Sequence, residues 1–136
     1  MYLIDTNVVS ELRRPRPNRQ VIKWISDVPP ERLFISAVTI GEIQAGIEVT
    51  REQDEQKAAQ LEAWLIQVSR TYNVLSIDAN TFRQWAKLMH RKSNTLIEDA
   101  MIGATALTNG LTVSTRNIRD FEALGLTAID PFRPAR

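Results

Sequence analysis

The chain has 136 residues, 43% of them apolar and 24% charged, with a net charge of +1 and no Cys. This is the make-up of a globular domain with room for a core; it excludes disulfides, thiolate zinc sites and, lacking any run of about 18 apolar residues, a transmembrane helix. The single histidine, His90, excludes a catalytic His pair, the near-neutral charge neither demands nor forbids a nucleic-acid partner, and with no signal peptide at the N-terminus a cytoplasmic address is expected.

Tyr2-Leu3-Ile4 predicts a short buried strand, after which Val8, Val9 and Leu12 recur at helical spacing. Asp5 stands where strand hands over to helix, the edge at which open α/β sheets bind ligands. It can serve there as a hard-metal ligand or only as a helix cap. Next comes Arg13-Arg14-Pro15-Arg16-Pro17-Asn18-Arg19, whose prolines break any helix. Its arginines form either a solvated loop or a phosphate-contacting patch close to Asp5.

Val21, Ile22, Trp24 and Ile25 predict a short helix ended by Val28-Pro29-Pro30, and Leu33-Phe34-Ile35 a second strand. Ser36 is placed to cap a helix over residues 38 to about 50. On that helix Val38, Glu42, Ala45 and Val49 share one face, Ile40, Ile43 and Ile47 form another, and Gln44 and Glu48 lie on the polar side. An acid inside an apolar stripe needs a partner, because burying an unpaired carboxylate is costly. An arginine or a metal would serve Glu42.

The charged run 51–57 predicts a solvated helix surface. Ala58, Leu61, Trp64, Leu65 and Val68 predict an amphipathic helix, and residues 74–77 a third strand. Asp78 caps a helix over 79–91, near whose end His90 sits on the surface. Thr95-Leu96-Ile97-Glu98 matches a capping box, which gives Glu98 a structural role and leaves Asp99 without one. The helix continues through 100–107, apolar nearly all round and therefore buried, and Asn109-Gly110 ends it. Residues 111–114 predict a fourth strand. Residues 118–124 predict a short helix with Asn117 as N-cap and Asp120 in the first turn, and 127–129 a last strand. One domain over 1–132 with a frayed tail, 133–136, is expected.

Alternating strands and helices argue for an α/β fold with a mainly parallel central sheet flanked by helices. Asp5 follows the first strand, while Asn117 and Asp120 follow the fourth. Glu42 and Asp99 lie on helices able to close over the same sheet edge. An oxygen-only cluster suits Mg²⁺ or Mn²⁺, and crowded carboxylates are stable only with a cation among them. A metal so held can activate water against a phosphodiester.

Four stretches carry a resemblance. Leu3-Ile4-Asp5-Thr6-Asn7 opens like a PIN domain. Ser36-Ala37-Val38-Thr39-Ile40-Gly41-Glu42-Ile43, Asp99-Ala100-Met101-Ile102-Gly103-Ala104-Thr105-Ala106 and Ser114-Thr115-Arg116-Asn117-Ile118-Arg119-Asp120-Phe121 are similar to the family's second, third and fourth motifs. Ile129-Asp130-Pro131-Phe132 is similar to the close of the short PIN toxins. The resemblance spans nearly the whole chain. It implies a three-layer α/β/α ribonuclease of the VapC type, the toxin half of a toxin–antitoxin pair. By that likeness Asp5, Glu42 and Asp99 are the catalytic, metal-binding acids. Asn7, Thr115, Asn117 and Asp120 support them, with Mg²⁺ or Mn²⁺ as cofactor. It further implies cleavage of structured RNA such as tRNA or rRNA, a homodimer, and a small DNA-binding antitoxin as partner. Arg13, Arg14, Arg16 and Arg19 are the candidate RNA contacts. Two departures stand out: Gly103 where Ala is usual, and Asn117 where many relatives carry a fourth acid. The rival readings are a same-fold nuclease acting on DNA or in RNA processing, and a non-catalytic dimeric regulator.

Overall fold

Five short strands run parallel in one sheet: β1 (Tyr2–Ile4), β2 (Leu33–Ser36), β3 (Asn73–Leu75), β4 (Thr112–Ser114) and β5 (Ala128–Ile129). Their order in the computed structural model, which describes residues 1–134, is β3-β2-β1-β4-β5. Every pairing among the described residues is parallel, so the expected "mainly parallel" sheet is wholly so. Parallel strands need crossovers, and helices supply them. These are α1 (Thr6–Glu11), α2 (Arg19–Asp27), α3 (Ala37–Arg51), α4 (Glu55–Thr71), α5 (Ala79–Met89), α6 (Ile97–Asn109) and α7 (Ile118–Ala123). Of the expected tail 133–136, residues 135 and 136 lie outside the described residues.

Alternation along each strand divides the core into two layers. Ile4 and Ile35 face a cluster built with Val8, Val9, Ile43, Ile47, Leu65 and Val68 from α1, α3 and α4. Leu3 and Val113 face the opposite side, where Ile102 and Ala106 of α6 and Phe121 of α7 pack. The chain leaves β1 toward β2 and β3, then returns to build β4 and β5 on the other side. The β1–β4 boundary is therefore the point at which strand order reverses, and a crevice opens beyond the carboxyl ends of strands at such a point.

Local chemistry sets the element boundaries. Asp5, Asn18, Ser36, Asp54 and Asp78 each accept a backbone N–H at a helix start. Gly110 ends α6 with a φ of +65°, a conformation that glycine adopts without a Cβ clash. At Gly103 an added Cβ would run into the Leu126 side chain, which fills that place and lets α6 sit close to the layer beneath. Gly103 is the departure from the usual Ala, and Leu126 is its structural counterpart.

Several expectations are corrected. The Thr95–Glu98 capping box does not form: Ser93 Oγ accepts the Thr95 N–H at 3.2 Å and starts a 3₁₀ turn, Asn94–Leu96. The α-helix begins only at Ile97, with no side-chain cap. On α3 the buried positions are Thr39, Ile43 and Ile47, whereas Val49 is 64% exposed, so the face shared with Glu42 is not a buried stripe. The apolar face of α4 is taken up by Ala58, Leu65 and Val68 packing inside this chain, which removes it as a motive for dimerisation. Within the charged run, Arg51 bridges Glu48, Glu55 and Glu62. α5 stops at Met89, short of the expected Arg91, where the backbone turns to a φ of +62°.

Candidate functional site

Asp5 ends β1 at the strand-order reversal and is 3% exposed. Its oxygens are held from both sides. Oδ1 accepts the Thr6 N–H at 2.8 Å; Oδ2 accepts the Thr115 hydroxyl at 2.7 Å and the Asn7 amide at 3.3 Å. The capping role and the site role expected as alternatives for Asp5 are thus compatible. Thr115 follows β4 and also accepts the Asn117 N–H at 2.9 Å; Asn7 accepts the Arg116 N–H at 3.2 Å. β1 and β4 are thereby tied together through side chains at the edge where ligands bind.

Glu42 reaches this edge from the second turn of α3. Its Oε1 accepts the Thr6 hydroxyl at 3.0 Å, and the Thr6 and Thr39 hydroxyls are 3.0 Å apart. A threonine has one hydroxyl proton. With that of Thr6 on Glu42, the wholly buried Thr39 hydroxyl donates to Thr6 in return. Among the described residues no arginine pairs with Glu42. Thr6 and Thr39 were not among the expected site residues; a threonine between apolar neighbours on a helix was their only trace in the sequence.

Asp99 projects from the first turn of α6 and Asp120 from the first turn of α7. Burial, then the charges of Asp5 and Asp120, a hydrogen bond with Asp120 and the charge of Glu42 push Asp99 up to about 7. Burial raises Asp5 as well, against the hydrogen bonds from Thr115 and Thr6. Burial followed by the charges of Glu98 and Asp5 raises Glu42. The structure therefore brings Asp5, Glu42, Asp99 and Asp120 within reach of one another's fields. It adds Glu98, freed from its expected capping role. Asn117 stands beside them, but its side chain makes no capping bond, contrary to expectation.

These groups are all hard oxygen donors, and no Lys or Arg forms an ion pair with any of the five acids among the described residues. Such a set is unfavourable by itself and fits a divalent cation. Among the described residues no three acids gather into a closed coordination shell. The crevice presents ligands around a shared space and leaves the final approach to their side-chain torsions.

The arginine loop divides. Arg14 pairs with the buried Glu11 at 3.4 Å, and Arg19 begins α2. Arg13 lines a groove of about 290 Å³ with Thr6, Glu42 and Lys57. Arg16 is exposed. Only Arg13 of the four is thus seated beside a candidate ligand. No helix among the described residues is long and apolar enough to cross a membrane.

Comparison with known proteins agrees with this geometry. Residues 2–125 match the family described as PIN domain. The chain is 40% identical to the plasmid stability protein StbB of Pseudomonas syringae pv. tomato, covering 97% of this chain and 99% of that one. It is 36% identical to the VapC ribonuclease Y4jK of Sinorhizobium fredii, over 99% and 100% of the two chains. Among solved structures, FitAB bound to an IR36 DNA fragment superposes with a TM-score of 0.87 at 28% identity, covering 100% of this chain and 99% of that one. A toxin–antitoxin complex from Klebsiella pneumoniae gives a TM-score of 0.67 at 26% identity, over 96% and 98%.

Proposed function

The chain belongs to the PIN-domain family, and from that premise we propose that it is a divalent-metal-dependent endoribonuclease. In this reading it is the toxin of a toxin–antitoxin pair, hydrolyses phosphodiester bonds in structured RNA such as tRNA or rRNA, and uses Mg²⁺ or Mn²⁺. Residues 1–132 act as one nuclease domain. A homodimer and a small DNA-binding antitoxin complete the proposal; the relatives named VapC ribonuclease and toxin–antitoxin complex support it.

The observation that carries the reading is the convergence of Asp5, Glu42 and Asp99, with Asp120 behind them, at the β1–β4 crevice without a cationic partner. Asp5, Glu42 and Asp99 would hold the metal. When bound, it supplies a water of lowered pKa and offsets charge developing on the phosphoryl oxygens. The chain's own residues prepare that site. Thr115 and Asn7 fix one Asp5 oxygen, the Thr6 amide fixes the other, and the Thr6 hydroxyl fixes one oxygen of Glu42, leaving its second oxygen without a protein donor. Asp120 holds Asp99 through their shared hydrogen bond. Preorganised acceptors lose less entropy on binding than free ones.

The direct test is brief induction of the chain in a bacterial host, followed by sequencing of new RNA 5′ ends. The proposal expects growth arrest and a small set of discrete new ends, both absent for Asp5→Asn. New ends scattered over all RNA, or none at all, would count against it.

A further inference from the structure

A second groove, of about 670 Å³, opens on the Asp120 side of the crevice. One wall is the start of α7, with Arg116, Asn117 and Arg119; the other is the terminal turn, with Asp130 and Arg133. The acids within it are largely engaged. Asp130 accepts the Phe132 N–H at 2.9 Å and pairs with Arg133 at 3.4 Å, while Asp120 shares its hydrogen bond with Asp99. Glu122 also lines the groove. Arg116 and Arg119 are exposed and form no ion pair among the described residues. The Arg116 guanidinium carbon lies 4.0 Å from the centre of the Phe132 ring, a cation–π arrangement that holds a long side chain in place. The Arg116 backbone is one residue from the chemistry, since Asn7 accepts its N–H and donates to Asp5.

We infer that this groove is an RNA track, in which Arg119 and Arg133 meet phosphates and Arg116, set on Phe132, is the platform for one unpaired base. The inference rests on the ribonuclease reading and names where its substrate runs. Two unpaired guanidinium groups beside a cluster of acids give the field a strand needs to approach that cluster. A guanidinium held against a ring stacks well on the flat face of a base. An acidic peptide would use the charges but not the platform, and would gain nothing from a groove that opens at the crevice. Arg13 and Lys57 lie in the groove beside Glu42, so a strand can cross the acids with cations before and after them.

The test measures binding of a 5′-labelled hairpin RNA to the full chain carrying Asp5→Asn, by fluorescence anisotropy across a salt series in excess chelator. R116A/R119A should weaken binding about ten- to a hundredfold and lower the salt slope by about 0.7 to 0.9 per arginine lost. R116K, which keeps the charge, should weaken binding with the slope unchanged, and F132L should follow it part of the way. All these positions lie at the surface or the terminal turn, and circular dichroism confirms folding. Wild-type-like binding and slope in R116A/R119A would overturn the track while leaving the ribonuclease reading intact. Loss of affinity for a glutamate-rich peptide with RNA binding unchanged would make the groove a protein-docking surface and overturn the track too. A parent protein that binds no RNA would overturn the ribonuclease reading, and the track with it.

Discussion

The Thr6 hydroxyl donates to Glu42 Oε1 at 3.0 Å while the backbone amide of the same residue donates to Asp5 Oδ1 at 2.8 Å. One residue thus orients two carboxylates that lie on different elements, and Thr39 orients Thr6 in turn. Thr6→Val should remove the Glu42 bond and keep the Asp5 bond. A hydrogen bond to a charged group is worth about 1.5–3 kcal/mol, so Mn²⁺ affinity measured by calorimetry should fall about tenfold or more. Thr6→Ser should restore it. Equal affinity in Thr6→Val and wild type would show that Glu42 needs no positioning.

Asp5→Asn, Glu42→Gln and Asp99→Asn should each lower RNA cleavage by at least about a hundredfold with the fold intact. Removing one of several repelling carboxylates should leave the metal-free protein as stable as before or more so. Glu98→Gln relieves repulsion on Glu42 and removes no cap; it should keep activity within a few fold and raise the metal-free melting temperature. Melting curves in chelator beside cleavage assays check all four variants.

Asp120→Asn should cost less activity than Asp5→Asn but clearly more than Asn117→Ala. Asp120 shares a hydrogen bond with Asp99, whereas the Asn117 side chain holds nothing at the start of α7. Cleavage rates for the three variants under identical metal conditions decide the order. An Asp120→Asn protein as inactive as Asp5→Asn would move Asp120 into direct contact with the metal.

Metal-free stability should depend on pH in a definite direction. Asp99 ionises near its ordinary 3.8 when unfolded and only at about 7 when folded, so the folded state holds the proton more tightly. Stability is then fully present below the unfolded value and is lost as pH rises through the interval to about 7. Asp5 and Glu42, also raised, add to the same slope. Asp78 is lowered by its capping bonds to Thr81, so its opposite effect falls in the acid range, below its unfolded value. Melting temperature in chelator should decline from about pH 4 to 7, and saturating Mg²⁺ should flatten the decline. A rise over that range in chelator would contradict the repelling cluster.

What the sequence revealed was mostly local. Asp5, Ser36 and Asp78 announce helix starts because the acceptor and its N–H are neighbours in the chain. The start of α6 was misread because Ser93, two residues earlier, competes for the Thr95 N–H and wins. The acids of the site could be placed at one sheet edge from strand and helix order alone. Their supporting contacts could not: Thr6 with Glu42, Thr115 with Asp5, and Arg116 with Phe132 are all distant in sequence. The buried Thr39 reads as an ordinary helix residue until Thr6 is seen beside it. The apolar stripe of α4 reads equally well as interface or core, and only the packing against α3 decides.

The account rests on a divalent cation held by Asp5, Glu42 and Asp99. Its most direct test is cleavage of a structured RNA by the purified chain, in excess chelator and again after Mg²⁺ or Mn²⁺ is restored, with Asp5→Asn in parallel. The account predicts cleavage only with metal and only in the wild type; undiminished cleavage in chelator, or by Asp5→Asn with metal, would contradict it.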